Sequence, residues 1–165
     1  MGHNTLMNVL FLGTGNSARS ILAEAILNAR DGPQVRAWSA GSRPLGEIHP
    51  LAREILQTVG MPVAALRSKH LDEFSRSEAP HMDIVIALCE QAGAEFAPGW
   101  PGTPVRVQWE FPDPAAVGGP EHVQLAAFAE TFRKLERRIQ ALLALPLQFL
   151  SVDELQQQLE SLAGN

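Results

Sequence analysis

Gly13-Thr14-Gly15-Asn16-Ser17-Ala18-Arg19-Ser20 joins turn-forming and small residues to an arginine and several hydroxyls within one short stretch. Glycine and asparagine tolerate positive φ, so the spacing predicts that successive backbone N–H groups turn inward as a nest at the start of a helix. A nest of this kind attracts an anion. The helix end adds about half a unit of positive charge. Arg19, one turn into that helix, brings a planar fork suited to two oxygens of a phosphate-like group, and Ser17 and Ser20 add hydroxyl donors. The chemistry indicated is the grip of a small tetrahedral oxyanion such as phosphate. The spacing fits neither a Gly-x-Gly-x-x-Gly dinucleotide loop nor a Walker loop with its lysine, and a plain helix cap with an exposed arginine is the competing reading.

Other reactive residues are sparse. Cys89 is the only thiol, which excludes an intrachain disulfide and any multi-cysteine metal site. The histidines, His3, His49, His70, His81 and His122, lack the short paired spacings that bring two ligands to one metal, so no metal is expected. His49 precedes Pro50 and reads as a helix cap. Asp113 sits between two prolines and reads first as a turn residue. Glu110 lies close by in sequence; if both acids faced the anion loop they would repel a dianion and raise each other's pKa, the alternative being a glutamate in solvent. Trp100 and Trp109 flank the same proline-rich stretch and are assigned no function.

Composition narrows the partners. The formal net charge is −5 with basic residues scattered, which leaves no electrostatic footprint for nucleic acid or an anionic membrane. No apolar run approaches the roughly 20 residues that cross a bilayer, and Met1 to Asn8 has neither a charged nor an apolar leader region. A cytoplasmic location is expected.

The elements that must position the loop follow from periodicity. With 165 residues and 45% hydrophobic content, a single domain over 1–165 can form one core. Asn8 to Leu12 reads as a buried strand, followed by the loop and then by Ser17 to Arg30 at helical spacing. Val35 to Ala40 reads as a second strand, His49 to Val59 as an amphipathic helix, Met82 to Leu88 as a strand covered on both faces, and Val105 to Trp109 as a weaker strand. Prolines punctuate the region from Cys89 to the last long helix, predicting ordered loop. Val123 to Leu145 carries an apolar stripe with Arg133, Lys134, Arg137 and Arg138 mostly off it, and Ser151 with Glu154 marks a capping box before a short final helix.

The run Val9 to Ser20 resembles the signature of arsenate reductases of the low-molecular-weight protein tyrosine phosphatase superfamily. Similar to that family, and in the expected order, are Ser39-Ala40-Gly41-Ser42, Gly46-Glu47-Ile48-His49-Pro50, Arg67-Ser68-Lys69, Leu88-Cys89, Trp100-Pro101-Gly102 and Pro112-Asp113-Pro114-Ala115. The resemblance implies a three-layer α/β fold, a four-stranded parallel sheet flanked by helices, with an anion cradle built on the motif Cys-x5-Arg. Arg19 is in register with that motif, and the cradle would comprise Gly13, Thr14, Gly15, Asn16, Ser17, Ala18, Arg19 and Ser20. The motif's cysteine is the nucleophile of the family, and here that position holds Gly13, so no covalent adduct can form there.

By the same resemblance Asp113 takes the place of the general acid, and Cys89 that of a further redox thiol whose downstream partner is replaced by Ala97. Gln108-Trp109-Glu110 departs from the His-Trp-Gly of related reductases. The implied ligand is phosphate or arsenate. No cofactor is implied, and an external thiol donor (glutathione with glutaredoxin, or thioredoxin) enters only if the chain is a reductase. The leading expectation is an oxyanion-binding protein of this lineage without covalent thiol catalysis. The alternatives are an arsenate reductase or small phosphatase altered at Gly13 or using an external thiol, and a partner-binding module with a relic pocket.

Overall fold

Strand positions follow from where apolar residues run without a break. In the computed structural model, which describes residues 6–30, 35–94 and 102–164, these runs form four parallel strands. They are β1 (Met7–Leu12), β2 (Val35–Ala40), β3 (Ile84–Ala87) and β4 (Val105–Gln108), in the order β2-β1-β3-β4. The central strands are buried on both faces, which is why Val9 to Leu12 and Ile84 to Ala87 show no polar alternation. The edge strand β4 alternates, with Val105 and Val107 buried and Arg106 and Gln108 exposed.

Helices α1 (Arg19–Asn28), α2 (Pro50–Thr58), α4 (Glu121–Leu143) and α5 (Val152–Ala163) cover one face of the sheet, where Val9, Phe11, Ile84 and Ile86 meet Ile21, Leu22, Leu56, Phe128, Leu135 and Leu159. On the other face Leu10, Leu12 and Val85 pack with Leu71, Phe74, Met82 and Ala92 of the short helix α3 (Glu90–Ala94). The chain leaves β1 toward β2 on one side and returns to β3 on the other. The segment after β1 therefore lies at the carboxyl ends of the strands where the winding reverses, the place at which open parallel sheets leave a crevice.

Several boundaries differ from those the sequence suggests, each for a local reason. Helix α1 begins at Arg19, not Ser17, because Asn16 takes φ 45° and Ala18 takes φ −125°, ψ −84°, neither helical. Strand β3 pairs only over Ile84–Ala87, although Met82 and Leu88 beyond its ends are also buried. Strand β4 is assigned only to Gln108, although Trp109 continues its alternation inward, fully buried, with its indole N–H donating to the Leu159 carbonyl at 2.9 Å. That tryptophan is core. His49 caps α2 through Nδ1, which accepts the Leu51 N–H at 3.1 Å, and Ser151 with Glu154 closes the expected capping box on α5. The short helix α3 and the 3-10 turn Leu71–Phe74 were not legible from periodicity. Ala97, Trp100 and His3 lie outside the described residues. Among the described residues no helix is long and apolar enough to cross a membrane, and no group of three or more His, Cys, Asp or Glu residues is placed to hold a metal ion.

Candidate functional site

The loop after β1 owes its shape to where its carbonyl groups go. The oxygens of Thr14, Gly15 and Ser17 accept from the N–H groups of Arg43, Leu45 and His49 at 2.9, 3.0 and 3.0 Å, and Gly15 O accepts a further bond from Ser68 Oγ at 3.2 Å. A trans peptide points its carbonyl and the following N–H in opposite directions. The amides of Gly15, Asn16 and Ala18 therefore face away from segment 43–49, and no N–H from Thr14 to Ser20 meets a protein acceptor among the described residues. They surround a hollow of about 90 Å³ lined by residues 13–20 together with Leu45, His49, Asp113 and Ala115.

Asn16 is the hinge of this arrangement, and among the described residues it alone other than glycine has positive φ. Its side chain holds that conformation with three hydrogen bonds: Oδ1 accepts from the Lys69 N–H at 2.8 Å, and Nδ2 donates to Ser20 Oγ at 2.8 Å and to Ser39 Oγ at 3.0 Å. The expectation that the loop glycines also use positive φ is corrected, since Gly13 and Gly15 do not. Their small size matters instead. A Cβ on Gly15 would stand 3.3 Å from Leu45 Cγ, and one on Gly13 would stand 3.0 Å from Ser20 Oγ.

Arg19, the first residue of α1, reaches across the hollow's edge. One guanidinium nitrogen donates to the Phe111 carbonyl at 2.7 Å, and the other lies 3.9 Å from Asp113 Oδ2. The Asp113 carboxylate also caps the turn that follows it, accepting the Ala115 N–H at 3.0 Å. Its side chain is 44% exposed and its contact with Arg19 is long, so this pair contributes little to stability. The structure thus brings Asp113 to the loop while keeping it a turn residue. Glu110 does not join them. Trp109 and Phe111 are both buried, so the residue between them points outward and lines a separate cavity with Lys134, Arg137 and Arg138. Cys89, just past β3, places Sγ 3.6 Å from Thr14 Oγ1 and accepts the Ala92 N–H at 3.4 Å; it touches the loop without lining the hollow.

A buried ionic pair supports the loop from behind. Glu24 Oε1 accepts from Ser39 Oγ at 2.6 Å and lies 3.8 Å from Lys69 Nζ, which itself donates to the Arg67 carbonyl at 3.0 Å. Burial raises the Glu24 pKa above its ordinary 4.5, an effect that Lys69 opposes; burial likewise lowers that of Lys69, opposed by Glu24. Sequence reasoning missed this pair, although Glu24 interrupts the otherwise apolar run from Ile21 to Leu27 and was the available signal. Because the folded pKa of Glu24 exceeds the unfolded one, stability is lost as pH rises from 4.5 through the raised value. Urea unfolding of the native chain and Glu24→Gln across that range should show a steeper loss for the native chain. Parallel curves would refute the assignment.

Fold and loop together define a parallel α/β protein with an amide-lined pocket and one arginine at the sheet's switch point. The chain belongs to the low molecular weight phosphotyrosine protein phosphatase family, which it matches over residues 8–160. It is 31% identical to an arsenate reductase of Halalkalibacterium halodurans over 131 residues, 79% of this chain and 91% of that one. Among solved structures it resembles a low molecular weight protein tyrosine phosphatase from T. tengcongensis, with TM-score 0.65 and 26% identity over 81% of this chain and 95% of that one. A thioredoxin-dependent arsenate reductase of Corynebacterium glutamicum superposes with TM-score 0.57 and 30% identity over 84% of this chain and 64% of that one.

Proposed function

We propose that this chain is a cytoplasmic oxyanion-binding member of the arsenate reductase lineage that holds phosphate or arsenate without forming a covalent thiol adduct. The observation that carries the proposal is that no backbone N–H from Thr14 to Ser20 meets a protein acceptor among the described residues, while these residues line the hollow and the Arg19 guanidinium stands at its edge. These are fixed dipoles and one permanent positive charge, already oriented before a ligand arrives. Kinship with arsenate reductases supports the choice of anion. Gly13 stands where the resemblance puts the nucleophilic cysteine, and a hydrogen in place of a thiol removes the covalent route altogether.

Calorimetric titration tests the binding step. Phosphate and arsenate should each bind saturably at one site, whereas neutral arsenite should not. Lack of saturable binding by either anion would reject the proposal. The catalytic part is tested by Gly13→Cys. The Ser20 hydroxyl, 3.0 Å from the new Cβ, needs to shift only a few tenths of an ångström, so the variant should fold. It should gain arsenate reduction or hydrolysis of an aryl phosphate that the native chain lacks.

A second reading is favoured by the contact between Cys89 and Thr14. In it an external thiol and Cys89 together reduce arsenate held in the loop, arsenate becoming arsenite and water as the two thiols become a disulfide. Arsenate-dependent oxidation of glutathione by the native chain, abolished in Cys89→Ser, would select this reading.

A further inference from the structure

The largest cavity among those described, about 590 Å³, lies outside the anion loop, between the segment Glu110 to Pro112 and the outer face of α4. Its size falls within the ~300–1,000 Å³ typical of small-molecule sites. We propose that it is a second ligand site, built for a small organic polycarboxylate.

Charge is the first argument. Lys134, Arg137 and Arg138 project into the cavity from α4, against one carboxylate, Glu110, in a chain whose net charge is −5. Like charges three and four residues apart on a helix repel, so this cluster is unfavourable unless something offsets it. The neighbouring acids have closer partners, Glu130 pairing with Arg133 at 3.0 Å and Glu136 with Arg30 at 3.4 Å, so Glu130 offsets Lys134 and Arg137 only in part. No ion pair among the described residues engages Lys134 or Arg137.

The second argument is shape. The remaining wall is apolar, made by Phe111, Ala141 and Leu162, and it gives a carbon skeleton a surface to lie on while its carboxylates face the cations. The Arg138 guanidinium is already held 4.5 Å over the Phe111 ring and 5.6 Å from that of Trp109, which fixes its plane before any ligand arrives. Burial also lowers the Arg138 pKa. A bare inorganic ion would use the charges and leave the apolar wall wet. The Phe111 carbonyl accepts from Arg19, so this site and the anion loop share one residue back to back, yet the proposal does not depend on what the loop binds.

The probe is benzene-1,3,5-tricarboxylate, titrated calorimetrically at low ionic strength in the presence of saturating inorganic phosphate. One molecule should bind. Lys134→Ala combined with Arg137→Ala, both at exposed positions, should weaken it by about tenfold or more, and Glu110→Gln should tighten it several-fold. Circular dichroism should show the variants folded. The proposal is overturned if no saturable binding occurs, if the double variant binds equally well, or if phosphate displaces the probe and so places it in the loop.

Discussion

Arg19→Ala is expected to weaken phosphate binding by about 30-fold or more, since truncating one partner of a desolvated charge pair costs about 2–5 kcal/mol. Among the described residues that line the hollow, Arg19 is the only lysine or arginine; the loop's other donors are backbone amides and hydroxyls. Its side chain is just 16% exposed and its plane is set by the bond to the Phe111 carbonyl, so water competes poorly with a bound anion. Arg19→Lys keeps the charge but loses the fork, and should fall between the native chain and the alanine variant. Losing the bond to Phe111 costs about 1 kcal/mol of stability, too little to unfold the chain. Thermal melts and calorimetry on the same samples therefore separate the two effects. An unchanged dissociation constant for Arg19→Ala would show that the loop does not use its arginine.

Gly41→Ala should act through the fold, destabilising it by about 3 kcal/mol or more, at the upper end of overpacking costs. A Cβ at this position would collide with the carbonyl oxygens of both Gly13 and Thr14, well inside van der Waals contact. Neither side can yield easily. Gly41 is tied on both its polar groups, its N–H donating to the Lys69 carbonyl at 3.0 Å and its oxygen accepting from Leu71 at 2.9 Å. Opposite it, Gly13 donates to the Ala40 carbonyl and Thr14 O is held by Arg43. Relief would come only by displacing the base of the anion loop, so phosphate binding should be lost along with stability. Gly118→Ala is the matched control, because a Cβ there meets nothing within 4 Å and the change should be nearly neutral. Equal urea midpoints for the two variants would contradict this account.

How much of this was readable beforehand differs between elements and site. The four strands and the long helices were legible because continuous or periodic burial is written locally: Ile84 to Ala87 is apolar since both faces of β3 are covered, and the stripe from Phe128 to Leu142 repeats because α4 packs one face on the core. Terminal residues were less legible. Ser17 fits helical spacing yet lies outside α1, because the conformations of Asn16 and Ala18 delay its start. Glu110 and Asp113 are close in sequence but point to different cavities, a consequence of Trp109 and Phe111 burying on either side of Glu110.

The amino-acid order alone determined that the residue just after β1 has no side chain, that an arginine stands six residues further on, and that the strand and helix on either side are apolar enough to pack. Only the tertiary structure decided which way the loop's peptide groups face. That direction depends on hydrogen bonds from Arg43, Leu45 and His49 to its carbonyls, on Lys69 and Ser39 holding Asn16, and on a Phe111 carbonyl 92 residues away from Arg19. Periodicity reports burial along one element, whereas a peptide plane turns toward whatever partner the rest of the chain brings to it.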